Sequence, residues 1–346
     1  MAVYTTIDDP EAYFQVKLYT GDGSTPSITL DGDTDMQPDI VWIKNRDATD
    51  SHCLFDAIRG TTKVINPDTN AVETTDADTL TSFDSDGFTL GADVKVNTDT
   101  EKYVAWNWKA NGSGSANTDG DLSSTVSVNA TSNFSMVKYT SADTGSAKTV
   151  GHGLGVAPTM IIAKQLKDIG VNWICYIEEI GNTNTMWFDD TTGSSVINYW
   201  NDTSPTTSLF TVNGLLEDAY STIAYCFAPV QGFSKFGSYV GNGSTNGSTI
   251  FCGFSPAWLL VKQSSANGEG WLIFDSKRLG YNGGNSSHYV NNSNTEASGG
   301  YADLLSNGFK ARSTNSVING SGSTYIYMAF AEAPFVNSNG VPCNAR

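Results

Sequence analysis

Short apolar runs bounded by turn-forming residues recur along the whole chain and predict β-strands. Three of them, PDIVWIK, PTMIIAK and PAWLLVK, begin at Pro38, Pro158 and Pro256 and are nearly continuous in apolar residues. Such runs are typical of strands buried on both faces. Three others, YVAWNW, TIAYCF and YIYMAF, place large side chains on alternate positions, as in a strand with one face on a core and the other toward a neighbour. No stretch of ten residues has a convincing helical period.

The same motifs recur three times in one order, which predicts a triplicated module. Each copy has a strand ending in tyrosine and a polar turn, an apolar run from proline to lysine, a second apolar run that ends in glycine, and a final aromatic strand. The tyrosine, proline, lysine and glycine positions are Tyr19, Pro38, Lys44 and Gly60, then Tyr139, Pro158, Lys164 and Gly181, then Tyr239, Pro256, Lys262 and Gly280. A Gly-Phe pair precedes the last strand in the first and third copies, and Leu209-Phe210 replaces it in the second.

We therefore predict an all-β chain of three tandem antiparallel β-sandwich modules, jelly-roll or lectin-like in type. The predicted division is an N-terminal anchoring arm at 1–13, modules at 14–112 and 133–230 separated by a linker at 113–132, and a third module with a C-terminal tail at 231–346. The linker prediction rests on a segment rich in Gly, Ser and Asn, a composition typical of flexible chain. The second and third modules follow each other almost directly, so we expect them to pack closely.

Charge and cysteine content narrow the class of partner. Among 346 residues, Lys and Arg total 19 and Asp and Glu total 36, a formal net charge of −17. Such a surface repels nucleic acid and anionic lipid, so neither is an expected partner.

The N-terminus lacks the pattern of a signal peptide, and no apolar run approaches the roughly 18 residues of a membrane helix. Five cysteines without a CxxC motif indicate neither a disulfide framework nor a zinc site, and fit reduced thiols in a cytoplasm.

No catalytic residue is predicted, and the chain is not expected to be an enzyme. Its three histidines fall at non-equivalent places, and no acidic residue recurs in all three copies. His52 stands about where the other copies have Trp173 and Trp271, so a packing role is favoured over a catalytic one. A polysaccharide depolymerase is the remote alternative, and it would need a pair of acidic residues in a cleft.

One acidic cluster resembles the start of a calcium loop. Asp31, Asp33 and Asp35 alternate in DGDTD, but Met36 stands where such a loop has glycine and Trp42 where it has glutamate. A weak Ca²⁺ site is therefore the alternative to a solvated turn, and no other cofactor is expected.

The aromatic residues are the better candidates for function. A scaffold rich in Gly, Ser and Asn with eight Trp and fifteen Tyr has a composition suited to binding saccharides or protein surfaces. Most tryptophans lie inside predicted strands, where core packing is favoured. Trp187, Tyr199 and Trp200 lie instead in the variable segment MWFDDTTGSSVINYWND and are the predicted ligand-binding residues.

Several long phrases resemble a family of repeat-containing virion proteins from marine tailed phages of the cyanophage and pelagiphage type. The phrases that carry the resemblance are PDIVWIKNRDATDSHCLFDAIRG, FDSDGFTLG, EKYVAWNWKANG, YWNDTSPTTSLF, FSKFGSYVGNGST, YIYMAFAEAPFVNSNGVPCNAR and the opening MAVYTTIDDPEAYFQ. The family is described as tail-fibre-like, and it brings no catalytic residues.

The resemblance implies a phage structural protein that is assembled in the host cytoplasm, resides on the virion and attaches to a host surface. Its expected partners are other virion proteins, further copies of itself in a trimer, and a host-surface glycan or protein. The arm residues Tyr4, Asp8, Asp9 and Tyr13 are the predicted virion anchor. A capsid decoration or head-fibre protein is the alternative.

Overall fold

A computed structural model describes residues 4–141, 145–167, 170–216, 219–278 and 284–343. We call residues 14–112, 113–230 and 231–343 the first, second and third repeats. Strands of the first repeat are β1 Phe14–Thr20, β2 Ser27–Thr29, β3 Ile40–Asn45, β4 Cys53–Asp56, β5 Lys63–Val64, β6 Thr74–Thr75, β7 Leu80–Asp84, β8 Gly87–Leu90 and β9 Lys102–Trp108. Those of the second are β10 Ser115–Asn117, β11 Ser124–Asn129, β12 Phe134–Thr140, β13 Lys148–Gly151, β14 Met160–Gln165, β15 Ile174–Ile177, β16 Asn184–Trp187, β17 Ser195–Val196, β18 Leu209–Val212 and β19 Ser221–Phe227. Those of the third are β20 Ser234–Val240, β21 Thr249–Phe251, β22 Phe254–Gln263, β23 Leu272–Asp275, β24 Ser286–Tyr289, β25 Ala297–Ser298, β26 Ala302–Leu305, β27 Gly308–Ala311 and β28 Thr324–Pro334.

The all-β prediction is confirmed. Helices in the described residues are single turns: α1 Val94–Asn97, α2 Ser316–Asn319 and three-residue 3₁₀ turns at Pro10–Ala12, Glu178–Ile180 and Gly214–Leu216. Asp93 caps α1 and Asn315 caps α2, each accepting a backbone N–H two residues on, which is the standard way to satisfy an orphan donor at a helix start.

One strand order occurs in the large sheet of every repeat. The order β1-β9-β3-β4 in the first repeat corresponds to β12-β19-β14-β15 in the second and β20-β28-β22-β23 in the third. These neighbours pair antiparallel. Each repeat adds a small sheet, ordered β2-β8-β7, β13-β18 and β21-β27-β26. The chain therefore builds one topology three times, with extra edge strands in the second and third large sheets.

The segment predicted as a flexible linker, 113–132, is instead ordered, so that prediction is wrong. Strands β10 and β11 lie in it and extend the large sheet of the second repeat. Val126 pairs with Val137 of β12 and is buried, so apolar residues on alternate positions hold the segment to the sheet. The Gly- and Ser-rich composition hid that short alternation.

Each large sheet of the first two repeats is buried on both faces. In the first repeat, Val41 and Ile43 pack toward the small sheet, whereas Trp42 between them faces the middle of the molecule. The central hydrophobic cluster draws residues from all three repeats, among them Trp108, Phe227 and Phe330 at the ends of the three aromatic strands. The second face of each aromatic strand thus points into the shared centre of the molecule. Burying these three faces requires the three repeats to close around one another.

Equivalent hydrogen bonds close the three repeats into a cycle. At each contact between two repeats, which we call a seam, a ring nitrogen of one repeat is hydrogen-bonded to a backbone carbonyl of another. The pairs are His52 with Tyr289 at 3.0 Å, Trp173 with Asn66 at 3.0 Å and Trp271 with Trp187 at 2.8 Å. A backbone N–H also donates across each seam, from Glu296 to Arg46, from Glu73 to Leu166 and from Ser194 to Ser264. The expected packing role of the ring at position 52 fits this arrangement, since Trp42 donates to His52 Nδ1 at 3.0 Å and leaves Nε2 to donate across the seam.

Two of the three seams contain a buried ion pair that the neighbouring repeat completes. Asp56 and Arg59 pair at 2.5 Å with both side chains fully buried, and Tyr225 of the second repeat donates to Asp56 at 2.6 Å. At the seam between the first and third repeats, Asp275 and Arg278 pair at 2.6 Å, and Trp106 of the first repeat donates to the same carboxylate oxygen at 3.0 Å.

The remaining seam, between the second and third repeats, has apolar residues at the positions of the aspartate, the arginine and the donor. Ile177 and Ile180 stand where the other repeats have the aspartate and the arginine, and Met328 stands where they have the donor. Ile177 and Met328 line one small cavity at this seam. Acid, base and donor are therefore all absent together, which avoids a buried charge without a partner.

Residues of the predicted anchoring arm dock against the body of the chain. Thr5 and Ile7 are buried. Gly232 has φ +81°, and a Cβ there would lie 2.6 Å from the Cβ of Thr5, so the third repeat and the arm are in close contact. The buried Ile7 belongs to the central cluster, and its burial fixes the position of the arm.

Most of the predicted anchoring residues make contacts within the chain. The Asp8 carboxylate accepts the Ser338 N–H at 2.7 Å, which ties the two ends of the chain together. Asp9 accepts the Glu11 N–H at 3.1 Å and begins the first 3₁₀ turn, and the Tyr13 ring packs against a phenylalanine of the third repeat. Tyr4 is 49% exposed.

Candidate binding cleft

The second repeat has an open cleft beside the strands β15, β16 and β17. It has a volume of about 440 Å³, and its lining includes Asn172, Trp187, Asp190, Thr192, Ser195 and Tyr199. Two of the three predicted ligand-binding residues therefore share one surface. Rings beside an amide, hydroxyl groups and a carboxylate in one concave surface offer a ligand both apolar contact and hydrogen-bonding partners.

Trp187 is held in place from two directions. It is the last residue of β16 and pairs with Ile174 of β15, and its carbonyl accepts the seam hydrogen bond from Trp271. Its half-buried ring packs against the core of the second repeat, which leaves the rest of the ring to the cleft. The position of this ring thus depends on the contact between the second and third repeats.

Tyr199 follows β17 and also lines the cleft. Its backbone N–H donates to Ile197 at 3.0 Å and its carbonyl accepts from Asn213 at 2.8 Å. The ring also packs against the core of the second repeat, and a Cβ at Gly214 would lie 3.5 Å from it. Burial raises the pKa of the Tyr199 phenol, so the hydroxyl stays protonated and can donate at neutral pH.

Trp200 does not belong to the cleft, and its prediction as a ligand-binding residue is wrong. Only 1% of the residue is exposed, and its ring packs edge-on against Tyr176 at 5.7 Å between centroids. Tyr199 and Trp200 are neighbours whose side chains leave the backbone in different directions, so only one of them reaches the cleft.

Asp190 is ionised at neutral pH and fixed in place. Thr192 donates to its Oδ1 from both the backbone N–H and the hydroxyl, each at 2.8 Å. Burial by itself raises the pKa of Asp190, but the hydrogen bonds from Thr192 outweigh it and the pKa is lowered. The next carboxylate, Asp189, has the opposite shift: burial raises its pKa to about 6, although it accepts the Trp173 N–H at 3.1 Å.

The predicted calcium residues do not form a metal site. Asp31 lies 3.6 Å from the Lys17 ammonium and 3.8 Å from that of Lys277, and 52% of its side chain is exposed. Asp33 and Asp35 are exposed as well. Over the described ranges, no group of three or more His, Cys, Asp or Glu residues is placed to hold a metal ion. The lysines already neutralise part of the charge that a cation would need, so the turn is a solvated one.

The cysteines are unpaired in the described structure. Cys53, Cys175, Cys226 and Cys252 are buried, and Cys343 is partly exposed. Burial raises the pKa of the Cys53 thiol to about 12, so it is neutral and unreactive. The four buried thiols pack as small apolar side chains in the hydrophobic clusters.

A family model described as a domain of unknown function, DUF7483, matches residues 9–334. The chain belongs to the DUF7483 family. The matched range begins in the docked N-terminal segment and ends with β28, so the DUF7483 unit spans all three repeats. Neither a curated protein nor a solved structure matches the chain. Among the described residues, no helix has the length and hydropathy that crossing a bilayer requires.

Proposed function

We propose that this DUF7483 protein is a structural protein of a phage particle, tail-fibre-like or tail-associated, that attaches to a host surface through its β modules. The observation that carries the proposal is the open cleft of the second repeat, where two partly exposed rings and several polar groups lie on an ordered β body. The phrase-level resemblance described above supports a place on the virion.

Within this proposal each repeat is one β-sandwich module. In the first and second repeats a hydrophobic cluster of its own lies apart from the central cluster, and the small sheet contributes to it through Phe88 and Phe210. Two sheets that share a core are the sandwich arrangement. Three such modules closed around a common centre form a body without the long shaft of an extended fibre.

A capsid decoration or head-fibre protein has the same need for a stable β body, and it is the alternative that the experiment must separate. A polysaccharide depolymerase is less well supported. Hydrolysis of a glycosidic bond generally uses two carboxyl groups about 5–10 Å apart, and the described lining of the cleft includes one, Asp190.

Two measurements test the proposal. Quantitative mass spectrometry of purified particles gives the copy number of the chain, and fluorescently labelled full-length chain gives its binding to host cells. We expect a few to some tens of copies per particle and saturable staining of host cells. Hundreds of copies without cell binding would favour the capsid alternative, and absence of the chain from purified particles would refute a virion role.

A further inference from the structure

We propose that the cleft of the second repeat binds an uncharged saccharide, at one site per chain. This inference rests on the proposed surface-binding function and names the class of ligand. A sugar ring has an apolar face of C–H groups and a rim of hydroxyl groups. The cleft matches both, because the Trp187 and Tyr199 rings offer apolar surface while Asn172, Thr192 and Ser195 offer hydrogen-bonding groups.

The charge of the cleft favours an uncharged ligand over an acidic one. Asp190 contributes an ionised carboxylate, and the described lining includes no lysine or arginine. Lys262 attracts Asp190 electrostatically, but it is fully buried and donates to the carbonyls of Thr191 and Gln263, each at 3.1 Å. With a net charge of −17 over the whole chain, a sialylated or uronate-bearing sugar would be repelled.

The hydrogen-bonding groups also favour a saccharide over an organic cation. A quaternary ammonium ion is recognised by aromatic rings and a carboxylate, both of which are present, but it cannot use the amide of Asn172 or the hydroxyl of Ser195. A hydroxyl-rich ligand can donate to Asp190 and exchange hydrogen bonds with both. The open shape of the cleft likewise suits a chain of sugars better than an enclosed cage for one cation.

In the described parts of the other two repeats, the residues at the Trp187 position are engaged elsewhere. The seam hydrogen bonds identify these residues as Asn66 and Tyr289, whose carbonyls accept in the same way. The Asn66 amide donates to the His52 carbonyl at 2.6 Å, and the Tyr289 hydroxyl is hydrogen-bonded to Tyr301. One site per chain is therefore expected, although the fold is built three times.

The test uses the labelled full-length chain on a glycan array that carries uncharged, sialylated and uronate-bearing oligosaccharides side by side. We expect binding to the uncharged group only. Calorimetric titration with the best uncharged oligosaccharide should give a stoichiometry near one per chain. A preference for acidic glycans, a stoichiometry near three, no binding to any glycan, or tighter binding of tetramethylammonium than of sugar would each overturn the inference.

Variants connect the binding to the cleft. Trp187→Ala should weaken it by roughly tenfold or more, the usual loss when one aromatic anchor is removed, and Asp190→Asn should weaken it with the fold intact. Phe251→Ala removes a ring that is 62% exposed on the third repeat and is the matched control, with no effect expected. Circular dichroism confirms that each variant is folded.

The two proposals fail in different ways. Unchanged staining of host cells by Trp187→Ala would refute the cleft inference and leave host-surface binding standing. Binding of uncharged glycan by a chain that purified particles lack would refute the virion role and leave the cleft inference standing.

Discussion

The buried ion pair between the first and second repeats allows a sharp test of how the seams are stabilised. Asp56→Ala removes the carboxylate that faces Arg59 and accepts from Tyr225. The arginine side chain is fully buried, so it would keep its charge without the main partner that offsets its desolvation. Its remaining ionic partner is Glu73, 3.3 Å away and partly exposed.

The expected cost follows from that geometry. Breaking a buried ion pair by removing one partner destabilises a protein by about 3–5 kcal/mol. Tyr225→Phe removes a single hydrogen bond to a charged group and should cost about 1.5–3 kcal/mol. If independent, Asp56→Ile, Arg59→Ile and Tyr225→Met would together cost on the order of 8–13 kcal/mol.

The seam between the second and third repeats predicts a much smaller cost for those three changes made together. That seam already has isoleucine, isoleucine and methionine at the corresponding positions, Ile177, Ile180 and Met328. Replacing a whole buried ion pair by well-packed apolar residues is often neutral or stabilising. We expect the triple variant to lie within about 2 kcal/mol of the parent, a large departure from additivity of the kind that contacting residues show.

Urea unfolding monitored by tryptophan fluorescence at neutral pH measures these free energies of unfolding. Asp31→Ala is the matched control, because it disrupts an exposed lysine–aspartate pair expected to contribute under about 1 kcal/mol. A cost for Asp56→Ala as small as that of the control, or a triple variant destabilised by the sum of its single changes, would refute this account of the seams.

Three further predictions concern other buried positions. His288→Met should raise the free energy of unfolding by about 1–3 kcal/mol, since both imidazole nitrogens are buried without a partner among the described residues and the second repeat has Met186 at this place. A loss of stability in urea would contradict it. Burial lowers the pKa of His52 to about 3, whereas the pKa of this histidine in the unfolded state is near 6.5. The folded state therefore binds the His52 proton more weakly than the unfolded state does. The contribution of His52 to the free energy of unfolding should be full above pH 6.5 and fall by up to about 1.4 kcal/mol per pH unit below that. His52→Gln should flatten that slope between pH 7 and 5, and an unchanged slope would assign it to other groups. Gly232→Ala should displace the N-terminal segment around Thr5, speed its cleavage in limited proteolysis and cost about 1 kcal/mol or more; an unchanged cleavage rate would show that the segment is not held there.

The strands could be predicted from the sequence because their signals are local. Proline-headed apolar runs and alternating rings predicted β3, β14 and β22 and the final aromatic strands, all of which form. The alignment of His52 with Trp173 and Trp271 also identified three equivalent ring positions. It did not predict that these rings form hydrogen bonds between repeats. The large side chains on alternate positions of the final aromatic strands also predicted that both faces of these strands are covered.

The contacts that hold the three repeats together could not be predicted in the same way. Trp106 and Asp275 are 169 residues apart in the chain, and no local pattern links them. The choice between Tyr199 and Trp200 depends on which way each side chain leaves the backbone, and two aromatic neighbours look alike in sequence. The predicted linker failed for a related reason, because the alternation of Val126 and Val128 is too short to outweigh its Gly- and Ser-rich surroundings.

The covalent continuity of the three repeats has a consequence for how this fold can vary. In an assembly of three identical chains, every substitution at an interface appears three times, and a residue that suits one contact is imposed on the others. A single chain removes that constraint. One seam has isoleucine and methionine where the other two have an ion pair and its donor, and one repeat has a cleft whose tryptophan the next repeat holds in place. A single chain thus lets each repeat have its own residues at equivalent positions, without loss of the common architecture.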